Sequence, residues 1–183
     1  MKRIVVPAAL VILLGANIHL LLQNRRLKTV GPVVSLNEIA PQKILRSIGG
    51  VDLGGRYTLL NFDEQAPRTL LITYSALCPY SEANRSFWLR LTHSADPQHW
   101  RIVWVSRDPL INTQAFAAKY QVPAMFFAEP AHRTYSQLAM EIVPRTVAVD
   151  RHGVVEKVWA GSLSDAQKIS IEQHLSARSM ASR

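Results

Sequence analysis

The stretch from Arg68 to Leu91 constrains this chain more than any other. Leu70 to Tyr74 is a short apolar run rich in β-formers, of the length expected for a buried strand. From Glu82 to Leu91 the apolar period changes, and Ala83, Phe87, Trp88 and Leu91 recur at helical spacing. Between the two lies Cys78-Pro79-Tyr80-Ser81. Proline is at home in the first turn of a helix, where its missing N–H costs nothing. Cys78 is therefore expected at a strand-to-helix junction, where unpaired N–H groups and the helix dipole stabilise an anion such as a thiolate. Taken alone, a cysteine is more often a small buried hydrophobe. The strand–Cys–Pro–helix setting turns the reading toward a functional thiol.

Charge is informative mainly through its position. The net charge is +8, yet Lys2, Arg3, Arg25, Arg26 and Lys28 fall within residues 1–30, where there is no acid. The remaining basic residues are scattered, without the basic–aromatic stripe of a single-strand binder, so a nucleic-acid partner is not expected. Ile4 to Leu22 holds no formal charge and is dominated by Val, Ile, Leu and Ala. As a helix it is just long enough to cross a hydrocarbon core. A cleaved signal peptide is the competitor, but Leu14-Gly15-Ala16 is a poor cleavage site and the run continues through Leu22. The expected organisation is a transmembrane anchor over residues 1–27, a tether over 28–47, a folded domain over 48–177 and a flexible tail over 178–183. The positively charged flanks are nearly balanced and do not fix the orientation.

Within the domain, Gly49-Gly50 and Gly54-Gly55 between short apolar runs predict a hairpin. Trp100 to Ser106 predicts a second buried strand. Asp108-Pro109 reads as an N-cap followed by proline at the first helical position, opening a helix to about Tyr120 with Phe116, Ala117 and Tyr120 inward. Val122 to Ala128 predicts a third strand, and Glu129-Pro130 a helix through about Ala139. Ile142 to Asp150 reads as a turn and strand, Arg151 to Gly153 as a tight turn, and Val154 to Ala160 as the returning strand. Ser162 and Ser164 are candidate caps of a last helix ending near Leu175. The alternation predicts an α/β domain whose central sheet begins parallel and becomes mixed, with helices on both faces. Trp88, Trp100, Trp104 and Trp159 are expected in or at the edge of the core. His93 and His99 are expected to be solvated, with no metal site, and Asn84-Arg85-Ser86 to be a chance sequon on a helix.

This pattern resembles the thioredoxin-like fold, in the form of the membrane-anchored redoxins of thiol–disulfide interchange in the bacterial envelope. The resemblance runs from about Ile48 to Leu175. It rests on Cys78-Pro79-Tyr80-Ser81 between strand and helix, on the inserted strand–helix–strand of Arg101 to Phe127, and on Val143-Pro144-Arg145-Thr146 leading into a strand. It implies a cis proline at Pro144 beside Cys78, and a site of Cys78, Ser81 and Pro144 with Pro79, Tyr80, Val143 and Arg145 toward the substrate. It also implies protein or glutathione thiols and disulfides as partners, no cofactor, and an inner-membrane location facing the periplasm. The chain departs from the pattern in having Ser81 where the second cysteine stands and Leu77 where a tryptophan is usual. A single cysteine can begin an exchange but needs an outside thiol to finish it. Three functions stay open: exchange through a mixed disulfide at Cys78, a redox-inert binder using the groove beside Pro144, and a one-cysteine peroxidase. The last lacks a proline at Leu71, and its arginine, Arg145, is one residue displaced. A disulfide-linked dimer through Cys78 is also compatible with the lone thiol.

Overall fold

The computed structural model describes residues 39–63 and 67–177, together with positions 15 and 17, which are helical. The expected anchor over residues 4–22 lies outside the described residues except at those two positions. Among the described residues no helix is long and apolar enough to cross a membrane.

Seven strands and four helices make up the domain. They are β1 (Ser47–Val51), β2 (Tyr57–Asn61), β3 (Arg68–Tyr74), α1 (Pro79–Ser94), β4 (Trp100–Ser106), α2 (Leu110–Tyr120), β5 (Met125–Phe127), α3 (His132–Gln137), β6 (Arg145–Val149), β7 (Val155–Ala160) and α4 (Asp165–Ala177). Five of the strands form one sheet in the order β5-β4-β3-β6-β7. β3 pairs parallel with β4 and β4 with β5, whereas β6 runs antiparallel to both β3 and β7. The sheet is mixed, as the alternation of elements implies.

β3 is central because both of its faces are apolar. Leu70, Ile72 and Tyr74 point into a core with Phe87, Trp88 and Leu91 of α1, Trp104 and Phe126 of the sheet, and Ile171 of α4. Leu71 belongs to the opposite core, with Val103, Val105, Phe127, Val147 and Val149. A strand covered on both sides reads as continuous hydrophobicity rather than alternation, and Leu70 to Ile72 does. The second face is closed by Ile48 and Leu60 of the β1–β2 hairpin and by Leu138 to Met140 after α3, not by long helices. All four tryptophans are buried, and each indole N–H finds an acceptor: Thr146 Oγ1, Leu175 O, Thr92 Oγ1 and Ser170 Oγ for Trp88, Trp100, Trp104 and Trp159. Pairing those donors removes the penalty that a buried indole would otherwise carry.

The hairpin docks on the sheet through the Val51–Ala128 bridge. Gly50 makes that approach possible, since a Cβ there would lie 2.8 Å from the Ala128 carbonyl oxygen. Residues 39–47, read from sequence as the end of the tether, are packed against the body. Ile39 and Leu45 are buried, and the Leu45 N–H donates to the Gly153 carbonyl at 2.7 Å.

Several boundaries differ from the sequence expectation. The third strand shortens to Met125–Phe127. The following helix starts at His132 rather than Glu129, because Glu129 has φ +44° and its carboxylate accepts the Leu110 N–H at 3.0 Å. A left-handed residue cannot begin a right-handed helix. On α1 the inward face includes Ser81 and Asn84, while Ala83 is exposed. α4 is capped by Ser164, not Ser162. The Ser164 Oγ accepts the Gln167 N–H at 3.3 Å, and Gln167 Oε1 accepts the Ser164 N–H at 2.9 Å, a reciprocal box.

Candidate active site

β3 delivers the chain to the site. After Tyr74 it leaves the sheet through Ser75, Ala76 and Leu77 and enters α1 with Cys78 as N-cap and Pro79 in the first turn. The Cys78 N–H donates to the Ser75 carbonyl at 3.1 Å, and the Cys78 carbonyl accepts the Glu82 N–H at 3.0 Å. Among the described residues no side chain caps the helix. The Cys78 thiol is half-buried, at the surface rather than sealed in the core.

The second wall comes from the start of β6. Because β6 runs antiparallel to β3, its N-terminal end lies beside the C-terminal end of β3, with Arg145 opposite Thr73. The preceding Val143–Pro144 peptide bond is cis. The Val143 carbonyl oxygen stands 3.7 Å from Cys78 Sγ, within reach of the weak S–H donor. Cys78 and the Val143–Pro144 turn, 65 residues apart in sequence, therefore form one site. Pro144 is buried and Val143 partly so, whereas Leu77 (83% exposed), Tyr80 (61%) and Ile142 (63%), next to Cys78, Pro79 and Val143 in the chain, are exposed apolar side chains.

Two expected site residues sit deeper than a substrate could reach. Ser81 is 4% exposed, and its Oγ accepts the Ser75 N–H at 3.3 Å. That bond ties the first turn of α1 to the loop before Cys78. Arg145 is 6% exposed, and its guanidinium donates to the Leu138 carbonyl at 3.1 Å and to the Ala139 carbonyl. Its side chain holds the chain after α3 under the proline turn, so the expectation that it faces a substrate is corrected to an interior role.

Asp108 is placed otherwise than its neighbours in sequence suggest. Pro109, not Asp108, occupies the N-cap position of α2. The Asp108 carboxylate turns back toward the thiol loop. Its Oδ1 accepts the Ser75 hydroxyl at 2.7 Å and its Oδ2 the Ala76 N–H at 2.6 Å. At 6% exposure this is a buried carboxylate paired with polar donors, as burial of a charge requires. Asn84, which the sequence shows only as part of a chance sequon, has a bridging role. Its amide donates to the Gly161 carbonyl and accepts the Leu163 N–H, both at 2.8 Å, so it joins α1 to the segment before α4. Buried this way, it is no glycosylation acceptor. His93 Nδ1 lies 2.8 Å from the Leu89 carbonyl and His99 Nδ1 2.8 Å from Asp96 Oδ2. Among the described residues no three His, Cys, Asp or Glu side chains are grouped to hold a metal.

Comparison with solved structures identifies the architecture. The thioredoxin domain of a thiol-disulfide oxidoreductase from Bacteroides vulgatus superposes with a TM-score of 0.59 at 20% identity, over 75% of this chain and 99% of that one. A thiol:disulfide interchange protein from Bacteroides sp. gives 0.59 at 18% identity, over 75% and 91%. A thiol-disulfide isomerase from Corynebacterium glutamicum gives 0.58 at 14% identity, over 74% and 97%. The fold is thioredoxin-like, a central mixed sheet flanked by helices. No family model matches the chain, and no curated protein matches it.

Proposed function

We propose that the chain is a membrane-anchored thioredoxin-like protein that exchanges thiols and disulfides through Cys78 alone. The observation that carries this reading is the half-buried thiol at the N-cap of α1, 3.7 Å from the carbonyl before Pro144. The Cys78 thiolate attacks one sulfur of a disulfide. The Cys78–sulfur bond forms as the substrate S–S bond breaks, and the departing thiolate takes a proton from water. With one cysteine in 183 residues, no second thiol of the chain can finish the cycle. An external thiolate attacks the substrate-derived sulfur and frees Cys78, so the sum is an exchange of one thiol for another. Protein or glutathione disulfides are the substrates, and no cofactor is needed. Pro79, Tyr80 and Val143 border the approach. Residues 4–22 anchor the chain in the inner membrane with the domain on the periplasmic side.

The peroxidase alternative needs a cation beside the thiol. Arg145 is engaged instead with the carbonyls of Leu138 and Ala139, which weighs against it.

Mass spectrometry after incubation with oxidised glutathione tests the proposal. Wild type is expected to carry one stable glutathione adduct, and Cys78→Ser none. Ser81→Cys is expected to release the adduct and close an internal disulfide, because one helical turn brings the two Cα atoms within the ~4.4–6.8 Å that the bond requires. If folded wild type takes up no glutathione while unfolded chain does, exchange is abandoned for a redox-inert binder using the same groove.

A further inference from the structure

We propose that Asp108 is the positioning residue for Cys78, a buried carboxylate that fixes the thiol loop from behind. The proposal rests on the exchange reading for its purpose, but its geometry stands independently. The loop Ser75 to Leu77 belongs to no helix or strand. A connection of that kind is held only by the hydrogen bonds its backbone can find. Three backbone bonds and one side-chain bond of the loop converge on two residues. Asp108 Oδ2 accepts the Ala76 N–H at 2.6 Å, and Asp108 Oδ1 accepts the Ser75 hydroxyl at 2.7 Å. The oriented Ser75 Oγ then accepts the Leu77 N–H at 3.3 Å, while the Ser75 carbonyl accepts the Cys78 N–H at 3.1 Å. The Ala76 amide is thus tied directly to the carboxylate, the Leu77 amide through the Ser75 hydroxyl that it orients, and the Cys78 amide to the backbone of the same Ser75.

Asp108 is itself immobilised. Its own N–H donates to Ser106 Oγ at 3.0 Å, at the end of β4, whose Ser106 is paired in register with Tyr74. Pro109 follows and fixes the chain direction into α2. The carboxylate is therefore anchored to the strand neighbouring β3, and it holds the loop that β3 feeds. Charge-assisted bonds to N–H and O–H donors are shorter and stronger than neutral ones, which suits a clamp made of only two contacts. With the loop fixed, Cys78 Sγ is held at its 3.7 Å separation from the Val143 carbonyl, a wall that the loop does not otherwise touch through any side-chain hydrogen bond among the described residues. Loss of the clamp leaves the thiol exposed but no longer aligned with that wall.

The experiment compares wild type with Asp108→Asn, Asp108→Leu and Ser75→Ala. Amide exchange by NMR reads the loop directly. Asp108→Leu is expected to lose at least tenfold protection at Ala76, Leu77 and Cys78, with β3 and β4 unchanged. Asp108→Asn can keep both contacts by donating to Ser75 Oγ and accepting from Ala76, and is expected to stay within about threefold of wild type. In parallel, reaction of Cys78 with a peptide disulfide should fall about tenfold in Asp108→Leu, while alkylation by iodoacetamide, which needs access but no alignment, changes less than twofold. Should Asp108→Leu fail to fold, Ser75→Ala is decisive, since it removes one of the two contacts and should show the same pattern at smaller size. Unchanged loop protection in the folded variants overturns the proposal, as does an equal slowing with both reagents. A wild-type protein that reacts with no disulfide overturns the exchange reading alone, because the loop protection still reports on Asp108.

Discussion

At the scale of single residues, the side chains that define the site differ in how openly the sequence displays them. Cys78 and Pro79 are visible because cysteine and proline restrict local chemistry or backbone, so their neighbours in sequence suffice to place them, whereas the place of Pro144 beside Cys78 is implied by the thioredoxin-like resemblance and not by its neighbours. Asp108 and Asn84 are invisible for the opposite reason. Their partners are 32 and 33 residues away for Asp108 and 77 and 79 away for Asn84, and an aspartate before a proline gives the same local signal whether it caps a helix or not. Tyr74 is a second concealed feature. It is 2% exposed, and its hydroxyl lies beside Ser106 and Thr113 without a well-formed hydrogen bond among the described residues. Burial pushes its pKa well above the ordinary tyrosine range, with the Asp108 charge adding to the rise and the Ser106 and Thr113 hydroxyls opposing it. An unpaired buried hydroxyl costs free energy, so Tyr74→Phe is expected to be neutral or to stabilise by about 1 kcal/mol at pH 7.5. Because the folded-state pKa is raised, the stabilisation linked to neutral Tyr74 is complete below about pH 10 and declines as pH rises above it. The advantage of the phenylalanine variant should therefore widen between pH 7.5 and 10.5. Urea denaturation at both values checks this, and a loss above about 1 kcal/mol at pH 7.5 would reveal a partner for the hydroxyl.

Among the elements, strands and long helices follow the hydrophobic period and were legible as such. β4 spans Trp100–Ser106 as the sequence suggests, and the hairpin falls where the paired glycines place it. Short elements were less legible, because three to six residues give too little periodicity to separate a strand or turn of helix from a loop. β5 and α3 contracted for that reason, and at Glu129 a positive φ set the boundary. The β6–β7 turn shows how strongly one connection can be specified. Gly153 has φ +83°, and a Cβ there would fall 2.1 Å from the Leu45 carbonyl oxygen. Gly161 has φ +76° with nothing within 4 Å of the same virtual atom. Both glycine-to-alanine changes carry the left-handed cost of roughly 1–2 kcal/mol. Only Gly153→Ala adds a backbone collision, so it should lose at least 1 kcal/mol more than Gly161→Ala in urea denaturation, a margin of the size that overpacking imposes. Equal losses would mean that residues 43–46 shift freely and do not belong to the packed body.

For the whole molecule, the mixed sheet and its closing hairpin were readable from the order of elements, while the covering of its second face by a hairpin and a short helix was not, since no local pattern announces which surface an element will meet. The proposed anchor gives a prediction at this scale. Expressed in a Gram-negative host, the full chain should sediment with membranes and resist carbonate extraction, whereas a chain beginning at Asn37 should remain in the supernatant. Recovery of the full chain in the supernatant would remove the anchor from the proposal. The sheet order also has a consequence in time. β6 lies on the side of β3 opposite β4 and β5, and it follows all three in the chain. During synthesis the ribosome releases Cys78 before Val143 and Pro144, which lie 65 and 66 residues further along the chain. A nascent chain arrested before residue 143 thus carries its thiol on an unfinished sheet, with the β3 edge still open and no wall opposite the sulfur. The cell meets this cysteine first as an ordinary exposed thiol, and only the arrival of Val143 and Pro144 turns it into a site.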